Sequence, residues 1–353
     1  MGGNVIFNGV AADSIDLTKH NRTDVIENIY FSLFSVSKSY QTMFNIPLWD
    51  NELFNTRGFF SGSSTHLFSP CLSTKEIIDN KPYVNDIDVQ VDKTFSDNIQ
   101  QFLSENIGQS FKDLILFGFK KSAGQFITLW FSNSLQLHVQ IDFELVDFEN
   151  GKPTEWSRFS HSSSWDDILL NIKGFHHKYL LQSMMASDKE PIIILTGKKR
   201  TPKPTNKSKW AFSVQRGLRL RYVETDQIID GLKVYDELET KDSVFYTDLE
   251  TISNKLFPID DNTTYNFIWS FIDIVDYLKL YKSETEQLAI VNDFFDRMFG
   301  DKVQMIVRDD LETDRILKMH GFEYILKQLN IDLDQYLPLI DEYYKQLLIK
   351  LEK

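Results

Sequence analysis

Apolar residues recur at helical spacing through residues 22–44, with Ile26, Ile29, Leu33 and Val36 on one side, and predict an opening helix. From Arg57 to about Asp147 the period shortens to two. Runs at 57–61, 84–92, 114–119, 125–132 and 135–147 read as strands, with a helix at 95–107 between two of them. After Trp156 the helical period returns: Ser164 is placed to cap a helix over 165–186, with Asp166 and Asp167 in its first turn. An apolar run at 191–195 reads as a strand, and Pro202 and Pro204 mark 198–209 as a loop. Helices follow at about 246–257, 264–281, 284–299, 306–329 and 331–352, Pro338 bending the last or marking its true start. The pattern predicts an α+β chain: a mixed sheet with flanking helices over residues 1–160, then a mainly helical domain over 161–353, with no Gly/Ser-rich linker between them.

Strand alternation sorts the polar residues. In 84–92, Asp86, Asp88, Gln90 and Asp92 fall on one face while Ile87, Val89 and Val91 fall on the other. In 137–147, His138, Gln140, Asp142 and Glu144 share a face opposite Leu137, Val139, Ile141 and Phe143. Carboxylates at i and i+2 of a strand are roughly 6–7 Å apart, close enough for both to reach one divalent cation. If the two acidic strands are neighbours, Asp142 completes a three-carboxylate cluster with Asp86 and Asp88. Oxygen-seeking Mg²⁺ or Mn²⁺ relieves the repulsion in such a cluster. Asp92, Glu144 and Asp147 are expected to face solvent or to stand behind the site. His66 and His138 read as structural residues near it, and the adjacent His176 and His177 cannot share one helical face as a zinc pair would. Upstream, the apolar run ending at Gly62-Ser63-Ser64 makes a tight turn that can bring backbone N–H groups and hydroxyls to a phosphate.

The order of these pieces resembles the nucleotidyltransferase superfamily typified by DNA polymerase β, poly(A) polymerases, CCA-adding enzymes and antibiotic adenylyltransferases. The likeness spans about residues 57–147. Ser61-Gly62-Ser63 matches the Gly-Ser element, Asp86-Ile87-Asp88-Val89 the Asp-apolar-Asp strand, and Asp142 within Gln140-Ile141-Asp142-Phe143 the third carboxylate. Ser61 departs from the pattern, which prefers an apolar residue there, and the gap from Gly62 to Asp86 is longer than usual, with 69–83 reading as an inserted loop. The resemblance implies that Gly62, Ser63 and Ser64 hold the triphosphate of an incoming NTP. It also implies that Asp86 and Asp88 hold two Mg²⁺ or Mn²⁺ ions, and that Asp142 binds the one that activates the acceptor hydroxyl.

Charge sharpens the expectation about the acceptor. The chain of 353 residues has a formal net charge of −13. From Lys198 to Arg221 it nevertheless carries nine cations and no acid. Lys198, Lys199 and Arg200, and the alternating Arg219 and Arg221, are candidates to grip a triphosphate or the backbone of a nucleic acid, with Trp210 and Phe212 available for stacking; the alternative is an exposed charged loop. The expected activity is template-independent transfer of a nucleoside monophosphate to a hydroxyl, on an RNA or tRNA 3′ end. The same centre could instead act on a small molecule or protein side chain, or persist in a non-catalytic binding protein. The single cysteine, Cys71, excludes an internal disulfide framework. The opening residues lack the pattern of a signal peptide or of a myristoylation site, and no stretch is apolar enough to span a bilayer, so the chain is expected to be soluble and cytoplasmic, with no membrane partner.

Overall fold

In the computed structural model, which describes residues 5–195, 204–214, 216–259, 264–300 and 310–351, the first periodic stretch is a helix, α1 (Arg22–Phe44). The Asn21 side chain accepts the Thr23 N–H at its start, and Asn45 ends it in the left-handed conformation. Val25, Ile29, Leu33, Val36 and Tyr40 form its buried stripe. The chain divides into two compact units, residues 1–163 and 164–353, and the fold is α+β.

In the first unit the strands β1 (Ile87–Asp92), β2 (Ser110–Phe111), β3 (Leu114–Ser122), β4 (Gln125–Ser132) and β5 (Leu137–Val146) assemble in the order β1-β5-β4-β3-β2. The β1/β5 pair is parallel and the remaining neighbours are antiparallel. Between β1 and β2 runs helix α2 (Ser96–Glu105). Ile87, Val89 and Val91 of β1 and Ile141 and Phe143 of β5 are shut off from solvent, as the alternation requires.

Two expectations about this unit change. Residues 57–61 are not a strand: Arg57 is left-handed (φ 57°), and only an isolated bridge joins Phe60 to Val89. Phe59 and Phe60 are both buried, and Phe60 stacks on Phe68 at 3.7 Å between ring centroids. The 84–92 run breaks as well. Tyr83–Val84 pairs with Ile15–Asp16, and Asp86 lies in the link just ahead of β1 rather than within it. The inserted segment 69–83 holds a helix, Thr74–Asn80, with a Ser73/Glu76 capping box. Buried Arg22 donates to the carbonyls of Leu67, Ser69 and Leu72, tying this segment to α1.

The second unit is mainly helical by residue, but it carries strands that helical periodicity does not reveal. The expected helix 165–186 is two, α3 (Trp165–Leu169) and α4 (Gly174–Ser187), parted at left-handed Asn171. Next come β6 (Glu190–Leu195), β7 (Pro204–Lys207), β8 (Trp210–Ser213), β9 (Gly217–Leu220), β10 (Tyr222–Ile229), β11 (Leu232–Glu237) and β12 (Phe245–Tyr246). They form a four-stranded sheet, β7-β6-β11-β10, and a three-stranded one, β8-β9-β12. The described part of the expected 198–209 loop therefore includes an edge strand, with Pro204 at its first position, where no ladder N–H is lost. Helices α5 (Leu249–Leu256), α6 (Phe271–Tyr281), α7 (Glu284–Phe299), α8 (Leu311–Gln328) and α9 (Leu337–Leu351) complete the unit, Pro338 standing in the first turn of α9.

Candidate metal centre

The parallel register of β1 and β5 sets Asp88 opposite Asp142 and Gln90 opposite Glu144. Asp86, in the link before β1, joins the first pair: one carboxylate oxygen from each of Asp86, Asp88 and Asp142 lies within 4.8 Å of the other two. Among the described residues this is the only group of three or more His, Cys, Asp or Glu with such proximity. The three predicted carboxylates are thus brought together, two by strand pairing and one by the link ahead of β1.

Their surroundings penalise negative charge. Burial first, then the charges of Asp86, Glu144 and Asp142, pushes Asp88 well above the usual carboxylate range. Burial pushes Asp142 up to about 7, with Asp86 and Glu144 adding to the rise against two hydrogen bonds from Gln140 Nε2 at 3.0 and 3.1 Å. Gln140 is itself fixed, its Oε1 accepting the Val5 N–H at 3.2 Å. Oxygen ligands held together while their negative charge lacks compensation are the donor set a hard divalent cation prefers. The residues present therefore fit Mg²⁺ or Mn²⁺.

The Gly-Ser turn packs directly on this cluster. Ser61 N–H donates to the Asp88 carbonyl at 3.1 Å, and the Asp88 N–H donates to Ser64 Oγ at 2.9 Å. Gly62 has φ +53°, and a Cβ there would stand 2.6 Å from Asp88 Oδ2. Its N–H donates to the His161 carbonyl at 2.8 Å. Of the three residues expected at a triphosphate, Gly62 abuts Asp88, Ser63 is half-buried at the start of the short helix Ser64–Leu67, and Ser64 is buried with its hydroxyl committed to the Asp88 backbone.

Sequence reasoning misses one pair. Glu144, expected to face solvent or to stand behind the site, does the latter, and its Oε2 accepts the Ser61 hydroxyl at 2.5 Å, a partnership the sequence reading did not draw. Burial raises its pKa, with His161, 3.9 Å from Oε1, and the Ser61 hydrogen bond opposing that rise. A hydroxyl at Ser61, where the resembled pattern has an apolar residue, was the available signal, and the half-buried Glu144 of β5 is its counterpart. Asp92 instead caps the following turn through Thr94 N–H, and Asp147 pairs with Lys93. His66 Nε2 lies 2.6 Å from the Ser163 carbonyl, and His138 sits against the rings of Phe117 and Phe131, so both are held structurally.

The basic candidates divide. Lys198, Lys199 and Arg200 lie outside the described residues. Arg219 is on β9 and Arg221 directly follows it, with Trp210 and Phe212 on β8. No helix among the described residues is long and apolar enough to cross a membrane. No protein-family model matches the chain, and no curated protein matches it.

Proposed function

We propose that the chain is a metal-dependent nucleotidyltransferase that moves a nucleoside monophosphate from an NTP to an acceptor hydroxyl, with a nucleic-acid 3′ end as the acceptor. The observation that carries this reading is the convergence of Asp86, Asp88 and Asp142 within 4.8 Å, with the Gly62 backbone pressed against Asp88. In the reaction the acceptor oxygen forms a bond to the α-phosphorus as the bond to the bridging oxygen breaks, and pyrophosphate leaves. Asp86, Asp88 and Asp142 would hold Mg²⁺ or Mn²⁺, which when bound supplies Lewis-acid stabilisation of the attacking and leaving oxygens. Asp142, which Gln140 holds by two hydrogen bonds, would receive the acceptor proton. The turn would orient the phosphates through Ser63, since the Gly62 N–H is held by the His161 carbonyl and the glycine's own role is to let the turn close on Asp88.

The test is incorporation of label from each α-labelled NTP, with Mg²⁺ or Mn²⁺, into RNA, single-stranded DNA, protein and small-molecule acceptors, run beside the Asp86→Ala/Asp88→Ala protein. Label entering a nucleic-acid acceptor only when both carboxylates are intact is the expected result. A folded protein that binds neither metal nor NTP would sink the reading.

A further inference from the structure

The three-stranded sheet β8-β9-β12 has two unlike faces. Phe212 pairs with Leu218 and Leu218 with Tyr246; Phe212 and Leu218 are buried, so this face is turned inward at β8 and β9, while Tyr246 on the edge strand is exposed. On the other face Ala211, Arg219 and Phe245 stand in register. The Arg221 N–H donates to the Lys209 carbonyl at 2.7 Å, extending the ladder, and alternation puts Arg221 on the side of Arg219. Burial raises the Tyr222 phenol, with Arg221 and Arg219 opposing the rise and Glu237 adding to it. Arg216, in the turn between β8 and β9, holds its guanidinium 5.9 Å from the centroid of the Phe245 ring.

These arginines are positioned by neutral groups. Arg219 donates to Thr240 Oγ1 at 3.0 Å and to Ser243 Oγ at 3.4 Å, and Arg221 donates to the Tyr222 hydroxyl at 3.0 Å. Among the described residues no carboxylate lies within ion-pair distance of Arg216, Arg219 or Arg221. Their neighbours Lys209 and Lys241 pair with Glu190 and Glu239. In a chain of net charge −13, three guanidiniums without a carboxylate partner beside an aromatic ring make a face of reversed sign.

We propose that this face binds a single-stranded polynucleotide, with the arginine forks on consecutive phosphates and the Phe245 ring beneath a base. Strand geometry spaces Arg219 and Arg221 by roughly 6–7 Å, a stride that suits successive phosphates of an extended strand. Guanidinium matches phosphate bidentately, and an aromatic ring accepts any base. An acidic peptide would satisfy the charges but would leave the ring without a base to stack on it. The proposal depends on the transfer reading only for the use made of the strand, as acceptor; binding itself needs neither metal nor NTP.

The experiment is fluorescence anisotropy of labelled oligo-U RNA and oligo-dT DNA with the full chain, in chelator, across about 50–200 mM salt. Saturable binding that weakens steeply with salt is expected. In the Arg216→Gln/Arg219→Gln/Arg221→Gln protein, affinity should fall at least about tenfold and the log–log salt slope should shrink by about 2, three contacts at ~0.7 each. The Arg219→Lys/Arg221→Lys protein, which keeps the charge and loses the forks, should hold the slope and bind several-fold more weakly. Preference for RNA or for DNA identifies the strand and supports the proposal either way. Unchanged affinity and slope in the glutamine variant, no saturable binding of either strand, or equal competition by oligoglutamate would each overturn it. If the parent and the Asp86→Asn/Asp88→Asn protein bind the strand equally and neither transfers label, the transfer reading fails while this one stands.

Discussion

A Cβ at position 62 would collide with the Asp88 carboxylate on a backbone of φ +53°. Gly124 offers a control, because its φ is +79° and nothing lies within 4 Å of a Cβ placed there. Both alanine substitutions carry backbone strain of about 1 kcal/mol or more, but only Gly62→Ala must also move Asp88. Both proteins should melt a few degrees lower. Titration calorimetry with Mn²⁺ should show affinity reduced about tenfold or more for Gly62→Ala and unchanged for Gly124→Ala. Equal affinities would mean that Gly62 does not set the position of Asp88.

At the scale of the element, helix α4 places two imidazoles side by side and buries both. His176 Nδ1 accepts the Lys173 N–H and its Nε2 donates to the Lys318 carbonyl, while His177 Nε2 donates to the Ile268 carbonyl, bonds that suit the neutral ring. Burial lowers His176 to about 3 and His177 well below its usual value. The unfolded chain therefore binds protons below about pH 6.5 that the native unit refuses, so stability rises with pH up to that point and is lost as pH falls, by ~1.36 kcal/mol per pH unit for each ring. Asp167 works the other way. Its carboxylate accepts the Phe271 and Ile272 N–H groups at the start of α6, and burial raises it to about 6, so its ionisation costs the native unit stability as pH rises from about 4 to 6. Urea midpoints of the C-terminal unit should fall between pH 6.5 and 4.5, less steeply in His176→Gln and His177→Gln and more steeply in Asp167→Asn. Identical slopes in the histidine variants and the parent would contradict burial of neutral rings.

For the whole molecule, an ion held by Asp86, Asp88 and Asp142 would make stability depend on divalent metal. With chelator present, Asp88→Asn relieves like-charge repulsion and should melt a few degrees above the parent. Added Mg²⁺ or Mn²⁺ should stabilise the parent, by about 2.7 kcal/mol at one hundred times the dissociation constant, and should leave Asp88→Asn unmoved. Calorimetric melting checks both. A parent indifferent to either ion, or a variant less stable than the parent in chelator, would remove the case for a metal centre.

How much of this was legible in the sequence depended on how local each feature is. Helix 22–44, strand 125–132 and helix 284–299 were readable because one face of each is uniformly buried and the period follows directly. Among the short strands between 204 and 246 only the alternation around Arg219 was readable; the hairpin of β10 and β11 closes on left-handed Asp230 and Gly231, a turn signal that apolar spacing does not register. The split of 165–186 at Asn171 and Gly174 escaped a reading based on apolar spacing alone. By itself the sequence determined which side chains share a face, the reversal of charge at 198–221, and the candidacy of Asp86, Asp88 and Asp142. Only the tertiary structure decided that β1 and β5 pair in parallel with Asp88 facing Asp142, that Gly62 closes on that carboxylate, and that Glu144 accepts the Ser61 hydroxyl. Alternation is imposed by the backbone of one strand, whereas register between strands some fifty residues apart in the chain is selected by the burial and hydrogen bonding of the whole sheet.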